Sequence, residues 1–355
     1  MYSKSNYQMD DVRKPLPLKP VRFLDQLRAE IRRRGLSLQT EKSYLVWVRS
    51  FIRFHKYRHP NELGAKEIDD YLTHLAERRN VSVNTQRLAL NALIFLYKKF
   101  LNKEIGQLKF TYAKRRPHVP VVFSHNEAMD AIDQLKEPYK LMTELLYGSG
   151  LRMQECLSLR VKDIDFAQLQ ICVRSGKGNK DRFTLLPEPV VKRLRRQIAE
   201  VKRLHEFDLA RGFGEVYMPD ALNRKYPNQA KSLLWQFLFP SRDICIDPRS
   251  GAKRRHHRHA SAFSKNLNRA FRRAGILKKC TAHTFRHSFA TRLLETGYDL
   301  KLIQSLMGHS DIRTTEIYLH VVRNRANVIK GPLNLSRELG EPKSKYHSTV
   351  VTFAA

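Results

Sequence analysis

Between Val21 and about Leu101, apolar residues recur every three to four positions, which predicts four helices: Val21 to Arg34, Gln39 to Tyr57, Ala65 to Arg78 and Val83 to Leu101. The second should bury Tyr44, Trp47, Val48, Phe51 and Ile52 while Lys42, Arg49 and Arg53 face outward, and the fourth should bury Leu88, Leu93, Phe95, Leu96 and Tyr97. Before them, Met1 to Pro20 mixes charge with prolines and reads as a mobile arm. After them, Lys114 to Pro120 is cationic, carries two prolines and has no helical period, as expected of an interdomain linker.

A second region opens at Ser124, whose spacing to Glu127 is that of a capping box and predicts a helix to about Leu135. A helix from Tyr139 to Tyr147 should stop at Gly148 to Gly150 and hand the chain to a third that carries Arg152. Leu169 to Arg174 and Arg182 to Leu186 have strand character and should form a hairpin with Lys177 at its tip. The remainder reads as mainly helical, with stops at Pro187, Gly275, Gly297 and Gly308. No internal repeat is present, and 355 residues exceed one compact core of typical size, so two domains are expected.

Charge narrows the partner. Lys plus Arg number 66 against 34 acidic residues, a formal net charge of +32, which calls for an anionic partner. No run approaches about 18 consecutive apolar residues and the first 20 lack a signal-peptide core, so nucleic acid in the cytoplasm is favoured over a membrane. Cys156, Cys172, Cys245 and Cys280 have neither metal-ligand spacing nor the density of a disulfide framework, and read as packing residues of a reducing compartment.

The chemistry lies in an ordered set of groups: Arg152, Lys177, His283 with Arg286, His309 and, nine residues later, Tyr318. Two guanidinium forks match phosphate oxygens, a lysine and two histidines can move protons, and a phenol can attack. On a helix opened by Thr281, His283 and Arg286 share a face. His287 follows His283 by four, a metal-site spacing, but no Glu lies between them and no neighbouring cluster offers a third ligand, so no metal is expected. Nine residues make two and a half helical turns, so the chain must break between His309 and Tyr318, with Ser310 and Asp311 capping one short helix and Thr314 or Thr315 a second. Ionising an unassisted tyrosine at pH 7 costs on the order of 4 kcal/mol, which nearby guanidinium charge would reduce.

The strings Gly150-Leu-Arg152, Ser175-Gly-Lys177-Gly-Asn179-Lys180, His283-Thr-Phe-Arg286-His287, Leu306-Met-Gly308-His309 and Thr314-Thr-Glu-Ile-Tyr318 resemble, in order and spacing, the motifs of tyrosine site-specific recombinases over Phe23 to Leu335. The resemblance implies a mainly α protein: an all-α helical DNA-binding domain at 21–113, a linker at 114–120 and an α+β catalytic domain at 121–335 with a small β-hairpin, followed by a tail at 336–355. It implies that Arg152, Arg286 and His309 hold the scissile phosphate, that His283 assists proton removal from Tyr318, and that Lys177 protonates the leaving 5′-oxygen. Glu155 would orient Arg152, unless it is simply an exposed helix acid. The product would be a 3′-phosphotyrosine formed on a DNA-bound homotetramer without cofactors, with Val321 to Leu335 a candidate to dock on a neighbour.

An insertion at about 207–237, with Leu238-Phe-Pro-Ser241 and Arg254-Arg-His-His257, resembles that of integron integrases. This likeness implies insertion and excision of gene cassettes on a folded single strand whose unpaired bases are gripped by the insertion and nearby histidines; Trp235, Lys180, Arg254, Arg255, His256 and His257 are the expected DNA-binding residues. A flexible basic loop is the plainer reading of 254–259. The competing functions are a resolvase of double-stranded sites, a non-catalytic DNA-binding protein and a metal-dependent nuclease.

Overall fold

The computed structural model describes Met9, residues 11–114, 120–174 and 181–325, with only the backbone of 220, 221 and 320–325. Two helical bodies follow one another along the chain. The first comprises α1 (Phe23–Arg33), α2 (Leu38–Phe54), α3 (Ala65–Glu77) and α4 (Val83–Ile94), the last continuing as a π-helical turn over Phe95–Phe100. Ser37 and Ser82 cap α2 and α4 by accepting from Thr40 and Thr85 N–H groups. The apolar stripes meet in a core of Leu27, Ile31, Val48, Phe51, Ile68, Leu72, Leu93 and Leu96. Val48 and Phe51 are buried as expected, whereas Tyr44, Trp47 and Ile52 only flank the core. Leu88 is 40 % exposed, because the core face of α4 passes through Ala89, Ala92 and Leu93 one position further on. Buried Glu41 is held by two hydrogen bonds of 2.9 Å from Arg32, which ties α1 to α2.

Buried Gln86 fastens the exit from this body. Its amide donates to the carbonyls of Leu72 (3.0 Å) and Thr111 (2.7 Å), and its oxygen accepts from Ala113 N (2.9 Å). The expected linker lies largely at 115–119, outside the described residues. Beyond it, Phe123 N donates to Ser288 Oγ at 2.7 Å, so the chain enters the second body directly against its central helix.

That body contains α5 (His125–Asp133), opened by the Ser124–Glu127 capping box; α6 (Tyr139–Ser149); α7 (Met153–Ser158); an antiparallel sheet of β1 (Ile164–Asp165), β2 (Gln170–Val173) and β3 (Arg182–Leu185); α8 (Glu188–Ala210); α9 (Asp220–Lys225); a hairpin of β4 (Pro240–Ile246) and β5 (Lys253–His257); α10 (Ala260–Arg273); α11 (Ala282–Glu295); α12 (Leu300–Met307); and α13 (Arg313–Arg325). Leu141, Leu145 and Leu146 of α6, Leu194 of α8, Phe263 and Leu267 of α10 and Phe285 of α11 form its core. Buried residues occur nearly all round α11, as expected of a helix enclosed by α6, α12 and α13. The fold is therefore mainly α with small sheets.

Four features differ from expectation. The predicted hairpin gains a third strand, β1, registered Ile164 to Ile171. The 207–237 stretch, expected to be irregular, begins inside α8 and then closes a small core of its own from Val216, Met218, Ala230 and Phe237. Residues 254–257, for which a flexible basic loop was the plainer reading, lie in strand β5, paired with β4 from Pro240 opposite His257 to Ile246 opposite Lys253. The N-terminal arm also packs at Met9 and Val12, while most of residues 14–19 are exposed. Met9 and Val12 are buried, Met9 N donates to Ile246 O, and the Lys14 carbonyl accepts from Arg32 on α1, so the arm runs from the β4–β5 hairpin to the first body.

Candidate active site

The site is built around the break between α6 and α7. Gly150 ends α6 in the left-handed region (φ 63°), and a Cβ there would come within 2.4 Å of the Phe289 ring, so the position requires glycine on two counts. Leu151 is buried, and Arg152 becomes the residue that caps α7 rather than one inside a helix. Glu155 accepts from both Arg152 N and Arg152 Nη1 at 2.7 Å, and Arg182 at the start of β3 grips the same carboxylate bidentately at 2.9 and 2.8 Å. Glu155 is thus the orienting acid and not an exposed one. Arg286, 3 % exposed on α11, lies 3.7 Å from that carboxylate and donates to the carbonyls of Gly150 and Met307. Arg182 Nε donates to Leu306 O at 3.0 Å, and Arg152 Nη2 to Gly308 O at 3.3 Å. One carboxylate therefore organises three arginines and ties α7, β3 and α11 to the end of α12.

Burial alone would raise the Glu155 pKa, but the hydrogen bonds and charge of Arg182, then of Arg152, override it and hold the group at about 2. Burial and the charge of Arg152 lower Arg286 to about 9, which leaves it cationic at neutral pH.

The remaining groups come from α11 and from the α12–α13 junction. Left-handed Gly308 ends α12, residues 309–312 form the break, and the Asp311 carboxylate accepts from Arg313 N to open α13. The break required by the His309–Tyr318 spacing is present, but Thr314 and Thr315 lie inside α13 instead of capping it. Thr315 Oγ1 hydrogen-bonds His309 Nδ1 at 3.0 Å, and the His309 and Tyr318 rings stack with centroids 6.4 Å apart. Tyr318 is 2 % exposed, and its hydroxyl meets His287 Nδ1 at 2.8 Å. His283, expected to assist proton removal from Tyr318, makes no hydrogen bond to it among the described residues, whereas His287 does. Burial pushes Tyr318 up to about 12, and burial reinforced by neighbouring positive charge pushes His287 down to about 4 and His309 down to about 3. His283, its side chain more open to solvent, is lowered by partial desolvation and by the charges of Arg286 and Arg152. A cleft of about 230 Å³ is lined by Arg152, His283, Arg286, His287, His309 and Tyr318, so five of the six expected catalytic residues converge; Lys177 lies outside the described residues. Two guanidiniums, neutral imidazoles and a phenol around one anion-sized space are suited to phosphoryl transfer.

The expected base-gripping residues are arranged differently. Lys180 is outside the described residues. Arg254 pairs with buried Asp247 (3.1 Å), and Arg255 grips Asp208 of α8 through contacts of 2.5 and 2.8 Å. His256 and His257 are buried, with Nε2 atoms 2.7 and 2.9 Å from the two carboxylate oxygens of Asp11 in the arm. These two imidazoles hold Asp11 well below the ordinary carboxylate range against the upward pull of its burial, while burial lowers His256. As described, the pair is not free to stack. Trp235 is in contact with cations: Arg160 lies 5.3 Å from its ring centre, and Lys162 sits over the same ring. Arg182, His287 and Asp11 were absent from the expected site. The spacing of His287 from His283 was its only signal, and nothing local marks Asp11, 245 residues from His256.

The profile of the Phage integrase family matches residues 123–325, and that of the phage integrase N-terminal SAM-like domain matches residues 23–107. Integrase/recombinase proteins of Escherichia coli and Pseudomonas aeruginosa are each 45 % identical to this chain over 320 residues, 90 % of this chain and 95 % of theirs. In fold, the chain is similar to the XerH site-specific recombinase bound to palindromic difH substrate, with a TM-score of 0.57 and 19 % identity over 89 % of this chain and 84 % of that one. Fold and site together define a tyrosine site-specific recombinase, an enzyme that cleaves and rejoins DNA. The chain belongs to the Phage integrase family.

Proposed function

We propose that this recombinase inserts and excises integron gene cassettes, acting as a tetramer on a folded single strand of the cassette site and on a double-stranded integration site. The observation that carries the reading is the folded insertion. Its core brings Trp235 and Phe237 together with Arg160, and the Phe237 ring lies 5.0 and 5.2 Å from those of His256 and His257. An unpaired base needs a flat apolar face and a hydrogen-bonding edge; in this reading partly buried Trp235 offers the first when Lys162 moves off its ring and the histidine pair offers the second, and stacking contributes about 1 to 3 kcal/mol per base. Asp11 now takes the hydrogen bonds that a base edge would use, so in this reading the arm leaves the pair when DNA binds.

At the scissile phosphate, Tyr318 attacks while Arg152, Arg286 and His309 hold the non-bridging oxygens and stabilise the charge that builds in the transition state. Lys177 protonates the departing 5′-oxygen, leaving a 3′-phosphotyrosine that a second 5′-hydroxyl reclaims. No metal or nucleotide enters these steps. Lys177→Ala should therefore cleave slowly, and a substrate with a 5′-thiol leaving group should restore its rate.

The burial of the histidine pair favours a second reading, a recombinase of double-stranded sites in which Asp11, His256 and His257 only anchor the arm. Affinity for a folded cassette-site strand and for the same site as duplex, measured across a salt series, separates the two. Phosphate contacts weaken steeply with salt on either substrate, whereas stacking persists. His256→Ala with His257→Ala should weaken folded-strand binding by roughly 1 to 3 kcal/mol with little change on duplex. Equal losses on both would sink the cassette reading.

A further inference from the structure

We propose that His287 is the base that takes the proton from Tyr318, a role that rests on Tyr318 being the nucleophile. Among the described residues, the Tyr318 hydroxyl has one hydrogen-bond partner, His287 Nδ1 at 2.8 Å. The direction of that bond follows from the inventory of the site. If Nδ1 carried a proton and donated it, the hydroxyl's own proton would have no acceptor among the described residues. With Nδ1 bare, Tyr318 donates to it and the imidazole proton resides on Nε2. His287 stays neutral near pH 7, as an acceptor must, because it is buried and faces the positive charge of Arg286. The chain fixes the geometry: His287 follows Arg286 on α11, and α13 packs against α11 so that the two rings lie with centroids 5.6 Å apart.

His283 occupies a different position. It is exposed at the rim of the same cleft, with its ring 6.3 Å from that of His287 and no hydrogen bond to Tyr318 among the described residues. In the cleavage step the Tyr318 oxygen forms its bond to phosphorus as its proton passes to His287 Nδ1. The bond between phosphorus and the 5′-oxygen breaks, and that oxygen keeps the electron pair and takes a proton from the acid on the opposite side. In the rejoining step the proton on His287 returns to the departing phenolate. His287 thus serves both half-reactions, as a neutral base and then as an imidazolium acid.

The test is single-turnover cleavage of a nicked suicide substrate, followed as covalent adduct from pH 6 to 9. His287→Asn can hold the phenol but cannot accept its proton at these pH values, so adduct formation near pH 7 should slow by on the order of 10² to 10⁴-fold. Its rate should climb about tenfold per pH unit, since the phenolate must now form unaided. Replacing Tyr318 by 3,5-difluorotyrosine, whose phenol ionises near neutrality, should recover much of that loss in His287→Asn. His283→Asn should keep the wild-type pH profile and gain little from the analogue.

Unchanged rate and pH profile in His287→Asn, or transfer of the steep profile to His283→Asn, overturns the assignment. Should His287→Asn fail to fold, the wild-type protein with and without difluorotyrosine decides. With a base in place the analogue changes the rate little, whereas an acceleration following the phenolate fraction overturns the proposal. Absence of any adduct from the wild-type enzyme would remove Tyr318 as nucleophile, and this proposal with it; adduct formation with an indifferent His287→Asn removes this proposal alone.

Discussion

Glu155→Gln should be among the most damaging single-atom changes in the catalytic domain. The carboxylate accepts four hydrogen bonds, two from Arg152 and two from Arg182, and lies 3.7 Å from buried Arg286. Charge-assisted hydrogen bonds contribute about 1.5 to 3 kcal/mol each, but four on one group are not additive. The better guide is the cost of stripping the counter-charge from buried cations, about 3 to 5 kcal/mol. Glutamine keeps one acceptor and turns an NH₂ toward a guanidinium, so the loss should fall within that range. Trp47 and Trp235 are the two tryptophans of the chain, so in a Trp47→Phe background urea unfolding followed by Trp235 fluorescence reports on the catalytic domain.

The same charge argument makes a second demand. An anion in the cleft replaces part of the missing negative charge, so sulfate should raise the unfolding midpoint of Glu155→Gln more than that of the parent. Removing one of the stranded cations, as in Glu155→Gln with Arg182→Met, should return part of the lost stability. A loss below about 1 kcal/mol, or equal responses to sulfate, would refute the view that this carboxylate balances the three arginines.

Three other outcomes are expected. Gly308→Ala forces a left-handed backbone (φ 62°) on a residue with a Cβ and sets that atom 2.6 Å from Arg182 Cδ, so it should cost roughly 2 to 5 kcal/mol and slow adduct formation; retention of both stability and rate would contradict the packing described. His287 and His309 have folded-state pKa values near 4 and 3, below the ordinary 6.5, so unfolding takes up protons below pH 6.5 and the stability of the catalytic domain should decline from there through pH 4 and 3. Glu155 adds to that decline from pH 4.5 toward 2, and a flat unfolding midpoint between pH 6.5 and 4 would argue against neutral buried histidines. Asp11→Asn keeps the arm's shape but removes its charge from His256 and His257, so folded-strand affinity should rise relative to duplex; no change would mean that the arm does not compete with DNA.

How much of this was legible in the sequence depended on the range of each interaction. The four N-terminal helices, the Ser124 cap, the β2–β3 hairpin and the break before Tyr318 are written in residues a few positions apart, and all are present in the structure. Arg152 was readable as a phosphate-matching cation, but not its place as the cap of α7, and only the structure decides between the two readings of Glu155. Leu88 misled because an apolar residue at a helical interval says nothing about which of two adjacent stripes faces the core; the smaller Ala89 does, where α4 approaches α2. The Arg254–His257 segment misled for another reason: a run of cations reads as solvated unless its counter-ions are known, and Asp208, Asp247 and Asp11 lie from 7 to 246 residues away in sequence.

The same limit hid the partner of Tyr318. On α11, His283 and His287 occupy neighbouring turns and both flank Arg286, so sequence spacing cannot choose between them. The choice is made by where α13 lands, and that depends on left-handed Gly308, on Asp311 as a cap and on the grip of Arg182 on the end of α12. The residue that contacts the Tyr318 phenol is therefore selected by packing roughly 20 to 30 residues downstream in the chain, through elements whose individual motifs carry no proton chemistry. Shifting α13 by one residue about its axis would rotate Tyr318 by about 100° and break the His287 bond while leaving every motif intact. The order and spacing of the motifs specify which groups gather at the cleft, and the α12–α13 junction specifies which of them touches Tyr318.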